Sequence, residues 1–383
     1  VGGFERSTYT PAVLRVSFTG APAAQAASPD TTRQGFLDIT LIPPQGEIVG
    51  KRVQISRTAV ASLLQVLYRQ LARQESLEVT NPRSASRQLY DLLIRPVEAD
   101  LRARGITTIL ISADAGLQGV PYAALHDGST YFGIRYALSL TPSIGLLPRV
   151  DPSVMKPKRM LALGASEFSN LAPLPLVPQE LNQVTSGSTA EKYLNRSFTP
   201  QVLLERAGAP EVTMVHLATH AEFLPGGVSQ SKLYSGTEPM SLERFSSLRQ
   251  RRQGSPLKLF SLSACRTALG DPSSELGFAG LALQAGAESA LGTLWYVDDV
   301  ATSAFFIQLY RFLDAGLPKS EALQATRSAF MNGQVRLIDN QLIGVDGNPL
   351  LSNLGVAAQQ DWLQRGLQHP YYWAGIQLLG TPW

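Results

Sequence analysis

A single cysteine, Cys265, stands in a chain of 383 residues. One thiol excludes an internal disulfide framework and a zinc site built from several cysteines. Charge is scarce as well. Charged residues make up 16%, and 33 Lys and Arg against 30 Asp and Glu leave a net +3. So small a surplus, spread along the chain, argues against a surface for nucleic acid or anionic membrane, and neither partner is expected. No P-loop and no dinucleotide glycine fingerprint follows a strand candidate, so nucleotide chemistry has no motif to stand on. Four histidines are present, His126, His216, His220 and His369. His216 and His220 have an HxxxH spacing, but the zinc-protease motif needs Glu after the first histidine, where Leu217 stands. No metal and no cofactor is expected. The most apolar stretch, Leu276 to Val297, contains Gln284, Glu288 and four glycines, and reads as buried helix, turn and strand rather than a membrane span. No basic-then-apolar leader precedes the first strand, and the chain opens at Val1, as expected of a processed chain or a piece of a longer one; a cytoplasmic location is the expectation.

What is abundant is apolar: 44% of residues, enough for a sizeable core in one large or two medium domains. Alternation in Leu14, Val16 and Phe18, and again in Leu37, Ile39 and Leu41, predicts strands, with a third over Arg52 to Ser56. Val60, Leu63, Leu64, Leu67 and Leu71 follow helical spacing. A second helix carries Leu89, Leu92, Leu93 and Val97, with a kink expected at Pro96. Pro152 to Lys158 reads as a linker, which puts a domain boundary at 155/156. From Met160 onward strands and helices alternate, which means a mostly parallel sheet with helices on both faces. Asn332 to Asp361 interrupts that alternation and reads as an insertion.

Two segments carry candidate chemistry. Leu257 to Leu262 is an apolar strand that runs into Ser263, Ala264, Cys265 and Arg266, which places the thiol at a strand's carboxyl end, where open α/β sheets bind ligands. Thr213 to Thr219 is a second such strand, with His220 at its C-terminal tip. A lone cysteine is most often an inert core residue. An imidazole beside it changes that reading, because it holds the thiol as thiolate and protonates a leaving amine. His216, inside its strand, reads as a satisfied core histidine; His126 before Asp127-Gly128 and His369 before Pro370 read as turn residues.

At these residues the sequence resembles the CHAT domain, a caspase-like family in the clan of caspases, metacaspases, gingipains and separase. The resemblance runs through five ordered blocks between about 106 and 380: Asp114 to Leu125, His216 to His220, Leu262 to Ala268, Trp295 to Asp299, and His369 to Gly375. It implies an α/β caspase-hemoglobinase-like fold, with residues 1–155 as a degenerate, non-catalytic caspase-like half and 156–383 as the catalytic half. It implies a cysteine endopeptidase with a Cys265–His220 dyad and an oxyanion held by the backbone N–H groups of Cys265 and Ala221. Many relatives carry Gly where this chain has Ala221. A basic P1 residue held by a carboxylate is also implied, with Asp299, Asp298 and Ser263 as candidates. Asp298 or Asp299 has a second reading, as the cap of the following helix. Arg249, Arg251 and Arg252 are candidates for self-cleavage in an exposed loop, or simply a solvated basic segment. The expected partners are a protein or peptide substrate and an activating protein or fused repeat domain. Two rivals stay open: a catalytically silent caspase-like scaffold, and an acyl or amide hydrolase using the same dyad.

Overall fold

In the computed structural model the described residues are 10–20, 35–114, 116–141, 158–186, 189–222, 230–263, 282–283, 285–295 and 297–383. The chain divides into two units, Val1–Leu146 with Pro382, and Leu147–Thr381 with Trp383. The boundary expected at 155/156 lies outside the described residues.

The first unit holds β1 (Pro11–Gly20), β2 (Gly35–Ile42), β3 (Val49–Gln54), α1 (Arg57–Ala72), α2 (Ala85–Leu93), α3 (Arg95–Ala103), β4 (Thr108–Ala113), α4 (Phe132–Arg135) and β5 (Ala137–Thr141). Its strand order is β3-β2-β1-β4-β5, antiparallel through β3, β2 and β1 and parallel through β1, β4 and β5. The alternating residues Leu14, Val16, Leu37, Ile39 and Leu41 are buried, as their period of two requires. Ser56 caps α1 by accepting from the Ala59 N–H at 3.1 Å. Pro96 does not kink a continuous helix. The helix ends at Leu93, Ile94 leaves helical geometry, and Pro96 sits in the first turn of α3, where its missing N–H costs nothing.

The second unit holds β6 (Arg159–Gly164), α5 (Val177–Val184), β7 (Thr189–Leu194), α6 (Pro200–Ala207), β8 (Met214–Ala218), β9 (Ala221–Glu222), β10 (Lys232–Tyr234), β11 (Pro239–Ser241), α7 (Leu248–Arg251), β12 (Leu259–Ser263), β13 (Ser289–Thr293), α8 (Asp299–Asp314), α9 (Lys319–Met331), β14 (Arg336–Ile338), β15 (Gln341–Ile343), β16 (Pro349–Leu351) and β17 (Ile376–Gly380). The sheet order is β17-β13-β12-β8-β6-β7. Every pairing from β13 to β7 is parallel, and β17 runs antiparallel to β13. Helical segments cover both faces. On one, His216 and Ser261 meet Tyr310 of α8; on the other, Phe260 meets Phe245, ring centroids 5.5 Å apart. Gly164 lets α5 lie close to the sheet, since a Cβ there would stand 2.5 Å from Val177 Cγ1. The insertion at 332–361 folds as the three-stranded antiparallel sheet β14-β15-β16. It is tied to α5 by reciprocal hydrogen bonds between the Gln179 amide and the backbone of Ser352 (2.8 and 2.9 Å). Among the described residues no helix is long and apolar enough to cross a membrane.

Candidate active site

Three parallel strands end level. Ala218 of β8 is in register with Ser263 of β12 on one side and Gly164 of β6 on the other. All five residues of β8 and of β12 are buried, as the unbroken apolar character of central parallel strands leads one to expect. His220 follows two residues after Ala218, and Cys265 two residues after Ser263. Cys265 and its neighbours from Ala264 to Leu281 lie outside the described residues.

The backbone at His220 is held from two sides. The Thr219 N–H donates to Ser263 O at 3.4 Å, and the Tyr234 N–H donates to His220 O at 3.0 Å. Its half-buried ring packs against Phe168, centroids 4.7 Å apart, and Nε2 lies 2.8 Å from Ala172 O. A carbonyl oxygen only accepts, so Nε2 carries the proton, and in the neutral ring Nδ1 is the base. Phe168 and Ala172 both belong to the connection between β6 and α5. Ala221 begins β9 in extended backbone, so a Cβ there meets no conformational penalty. The Tyr234 N–H donates to His220 O at the start of the β9–β10 ladder; antiparallel alternation therefore turns the Ala221 N–H away from β10.

Beside the strand ends lies a small pocket. Leu174, Leu176, Val177 and Ala218 give it an apolar surface; Glu180, Asp299, Ser263, Thr302 and Ser303 complete its lining. The structure separates the two adjacent aspartates. Asp298 caps α8, accepting from the Val300 N–H at 2.8 Å, and is not among the residues lining the pocket. Burial raises its carboxyl above the usual range against the pull of the Val300 and Ala301 N–H groups. Asp299, half-buried, lines the pocket.

Glu180 was not singled out from the sequence. It is 1% exposed, and Oε1 lies 2.8 Å from His216 Nε2 while Oε2 accepts from Ser303 Oγ at 2.5 Å. Burial pushes the carboxyl up, but the hydrogen bond and electrostatic attraction of His216, with hydrogen bonds from Ser263 and Ser303, outweigh it and hold Glu180 below the ordinary glutamate range. His216 is fully buried between Phe306 and Tyr310, with ring centroids 5.4 and 5.3 Å away. A signal for Glu180 existed: Val177, Leu181 and Val184 define the buried stripe of α5, and Glu180 falls on it.

The remaining candidates are structural in their contacts. His126 Nδ1 accepts from the Gly128 N–H at 2.9 Å, and His369 Nδ1 accepts from the Tyr371 N–H at 3.1 Å, both in turns. Trp295 donates to Tyr371 O at 2.9 Å, and a Cβ on Gly375 would meet its ring at 2.6 Å, so two of the sequence blocks pack on each other. Arg249 and Arg251 are exposed on the short helix α7. Arg252 departs from the expected exposed loop. It is buried, and its guanidinium donates to the carbonyls of Ala207, Ala209, Val212 and Ser255, so in the folded chain it is no cleavage site. Among the described residues no group of three or more His, Cys, Asp or Glu is placed to hold a metal ion.

A mostly parallel sheet flanked by helices, with a histidine just past one central strand, defines a mixed α/β protein. The CHAT domain family model matches residues 83–381, most of the chain, and the chain belongs to that family. No curated protein matches it in sequence. Among solved structures it is similar in fold to separase of Saccharomyces cerevisiae in its complex with securin, at 11% identity and a TM-score of 0.50. That match covers 97% of this chain and 30% of the separase chain, so this chain spans under a third of it. The Arg-specific cysteine proteinase gingipain R matches at 10% identity and a TM-score of 0.42, covering 85% of this chain and 75% of that one.

Proposed function

We propose that the chain is a cysteine endopeptidase with Cys265 as nucleophile and His220 as its base. The observation that carries this reading is the β8–β12 register: two adjacent parallel strands end level, and each is followed two residues later by one member of the pair. The Cys265 thiolate attacks the scissile carbonyl. The oxyanion is held by the backbone N–H groups of Cys265 and Ala221. His220 passes its proton to the leaving amine, and water then hydrolyses the acyl-enzyme with His220 as base. The Ala172 carbonyl suits this role, because it fixes the tautomer in which Nδ1 takes the proton.

The preferred P1 residue in this proposal is basic, and Asp299 and Ser263 of the pocket are the candidates to face it. Asp298 is spent on its helix. Self-processing is proposed after Arg249 or Arg251. A protein partner that controls activity is proposed as well; the separase neighbour, solved with securin, supports that expectation. Cys265→Ala should abolish cleavage of every peptide the wild type cuts, and turnover retained in that variant ends the proposal. Mass spectrometry of aged wild-type protein checks self-processing, where intact chain alone removes that part.

A further inference from the structure

We infer that Asn195 is a positioning residue for His220: its side-chain amide brackets the loop that carries both contacts to the imidazole. This rests on the peptidase reading above and names a residue that reading does not use. The first ground is that the His220 ring takes its orientation from one loop. Phe168 packs on it with centroids 4.7 Å apart, and Ala172 O accepts from Nε2 at 2.8 Å. Both stand in the connection from β6 to α5.

The second ground is that this loop does not hold itself. Between Glu167 and Pro173 only Phe168 and Leu171 are half-buried, and the other residues are exposed. A segment with so little burial has little local stability of its own, so its place is set where it is tied. The Leu174 N–H donates to Ser166 O at 3.0 Å and closes the loop at its base. Asn195, just past β7, fixes that base from outside. Its Oδ1 accepts from the Ser166 N–H at 2.7 Å, and its Nδ2 donates to Ser166 Oγ at 3.0 Å. Ser166 is buried, so its N–H requires such a partner.

The third ground is that Asn195 is itself held. Its φ of 51° lies in the left-handed region, which Asn tolerates better than most residues with a side chain. Its carbonyl accepts from the Phe198 N–H at 2.8 Å, and Phe198 O accepts from the Gly236 N–H at 2.9 Å. A Cβ on Gly236 would stand 1.7 Å from Asn195 O, so only glycine lets that backbone come so close. Two residues earlier, the Tyr234 N–H donates to His220 O. One short segment therefore braces the bracket at one end and the histidine backbone at the other. A position that must combine left-handed backbone with a side-chain oxygen suits Asn or Asp.

The test reads the ring directly and needs no turnover. In the whole wild-type chain, proton–nitrogen NMR should show a slowly exchanging proton on His220 Nε2, assigned by its loss in His220→Ala. Asn195→Gly keeps the backbone conformation and removes the amide, whereas Asn195→Asp keeps an acceptor for the Ser166 N–H. Asn195→Gly should speed exchange of that proton, and in peptide cleavage should lower kcat by about tenfold or more with KM changed by less than about twofold. Asn195→Asp should keep both close to wild type. A wild-type ring without the slow proton overturns the inference, as does exchange in Asn195→Gly equal to wild type. An Asn195→Asp that loses as much as Asn195→Gly, or a loss carried by KM alone, overturns it too. Should Asn195→Gly fail to fold, Ser166→Ala, which removes one hydrogen bond of the bracket, takes its place, and exchange as slow as wild type is then the overturning result. A wild-type chain that cuts no peptide sinks the peptidase reading, while the exchange comparison still decides the bracket. A chain that cuts peptides with exchange unmoved in Asn195→Gly does the reverse.

Discussion

His216 and His220 lie four residues apart at one strand end, yet their surroundings differ in kind. His216, inside β8, has no solvent, two aromatic rings against it and a carboxylate 2.8 Å away. His220, past the end of β8, is half exposed and bonds a backbone carbonyl. Within the sheet the backbone is committed to its neighbours and the side chain must satisfy itself in the core. Beyond the strand end the chain is free to present a ring to a cleft while loop carbonyls orient it. One residue type serves stability at the first place and is available for chemistry at the second.

Four experiments test this contrast and its surroundings. His220→Ala should lower kcat/KM for peptide cleavage by about 10²–10⁴-fold, the usual share of a general acid–base group, with little change in Tm. Loss of folding together with activity would show that His220 is as structural as His216. His216→Ala should do the opposite, costing about 3 kcal/mol in denaturant unfolding, because it strips a buried carboxylate of one donor. The same pair has a pH signature. The folded Glu180 carboxyl lies below its ordinary value. Its stabilising effect is therefore complete above about pH 4.5 and is lost as pH falls through the lower folded value. Glu180→Gln should remove that part of the acid-induced decline, measured by urea unfolding between pH 7 and 3. The smallest effect belongs to the aspartates at the start of α8. Asp298→Ala should cost about 1 kcal/mol as a lost helix cap, and Asp299→Ala should cost less stability than that. Equal losses would mean that the two carboxylates share the capping role.

Much of the fold was readable because its signals are local. The period of two in β1 and β2, the buried runs of β8 and β12, and the helical spacing of α1 depend on neighbours along the chain alone. The edge strand β7 escaped notice because its side chains are exposed or half-buried and carry no alternation. The direction of β17 was equally hidden. Repeated strand–helix alternation suggests parallel pairing, but the inserted sheet and the turns before Ile376 return the chain antiparallel to β13. Pro96 predicted a kink in one helix where the structure has two helices, since a proline in a first turn and one at a kink look alike in sequence. Arg252 looked like its exposed neighbours Arg249 and Arg251, and only the carbonyls left open after α6 explain its burial.

The amino-acid order alone determined that His220 and Cys265 each follow an apolar strand, because hydrophobic periodicity and the small residues that end it are properties of a few consecutive positions. Tertiary structure decided which strands are neighbours, which aspartate caps α8 and which carboxylate meets His216. Glu180 is 36 residues from His216 and 123 from Ser303. Contacts across such distances are set by sheet order and helix packing, which no local pattern encodes.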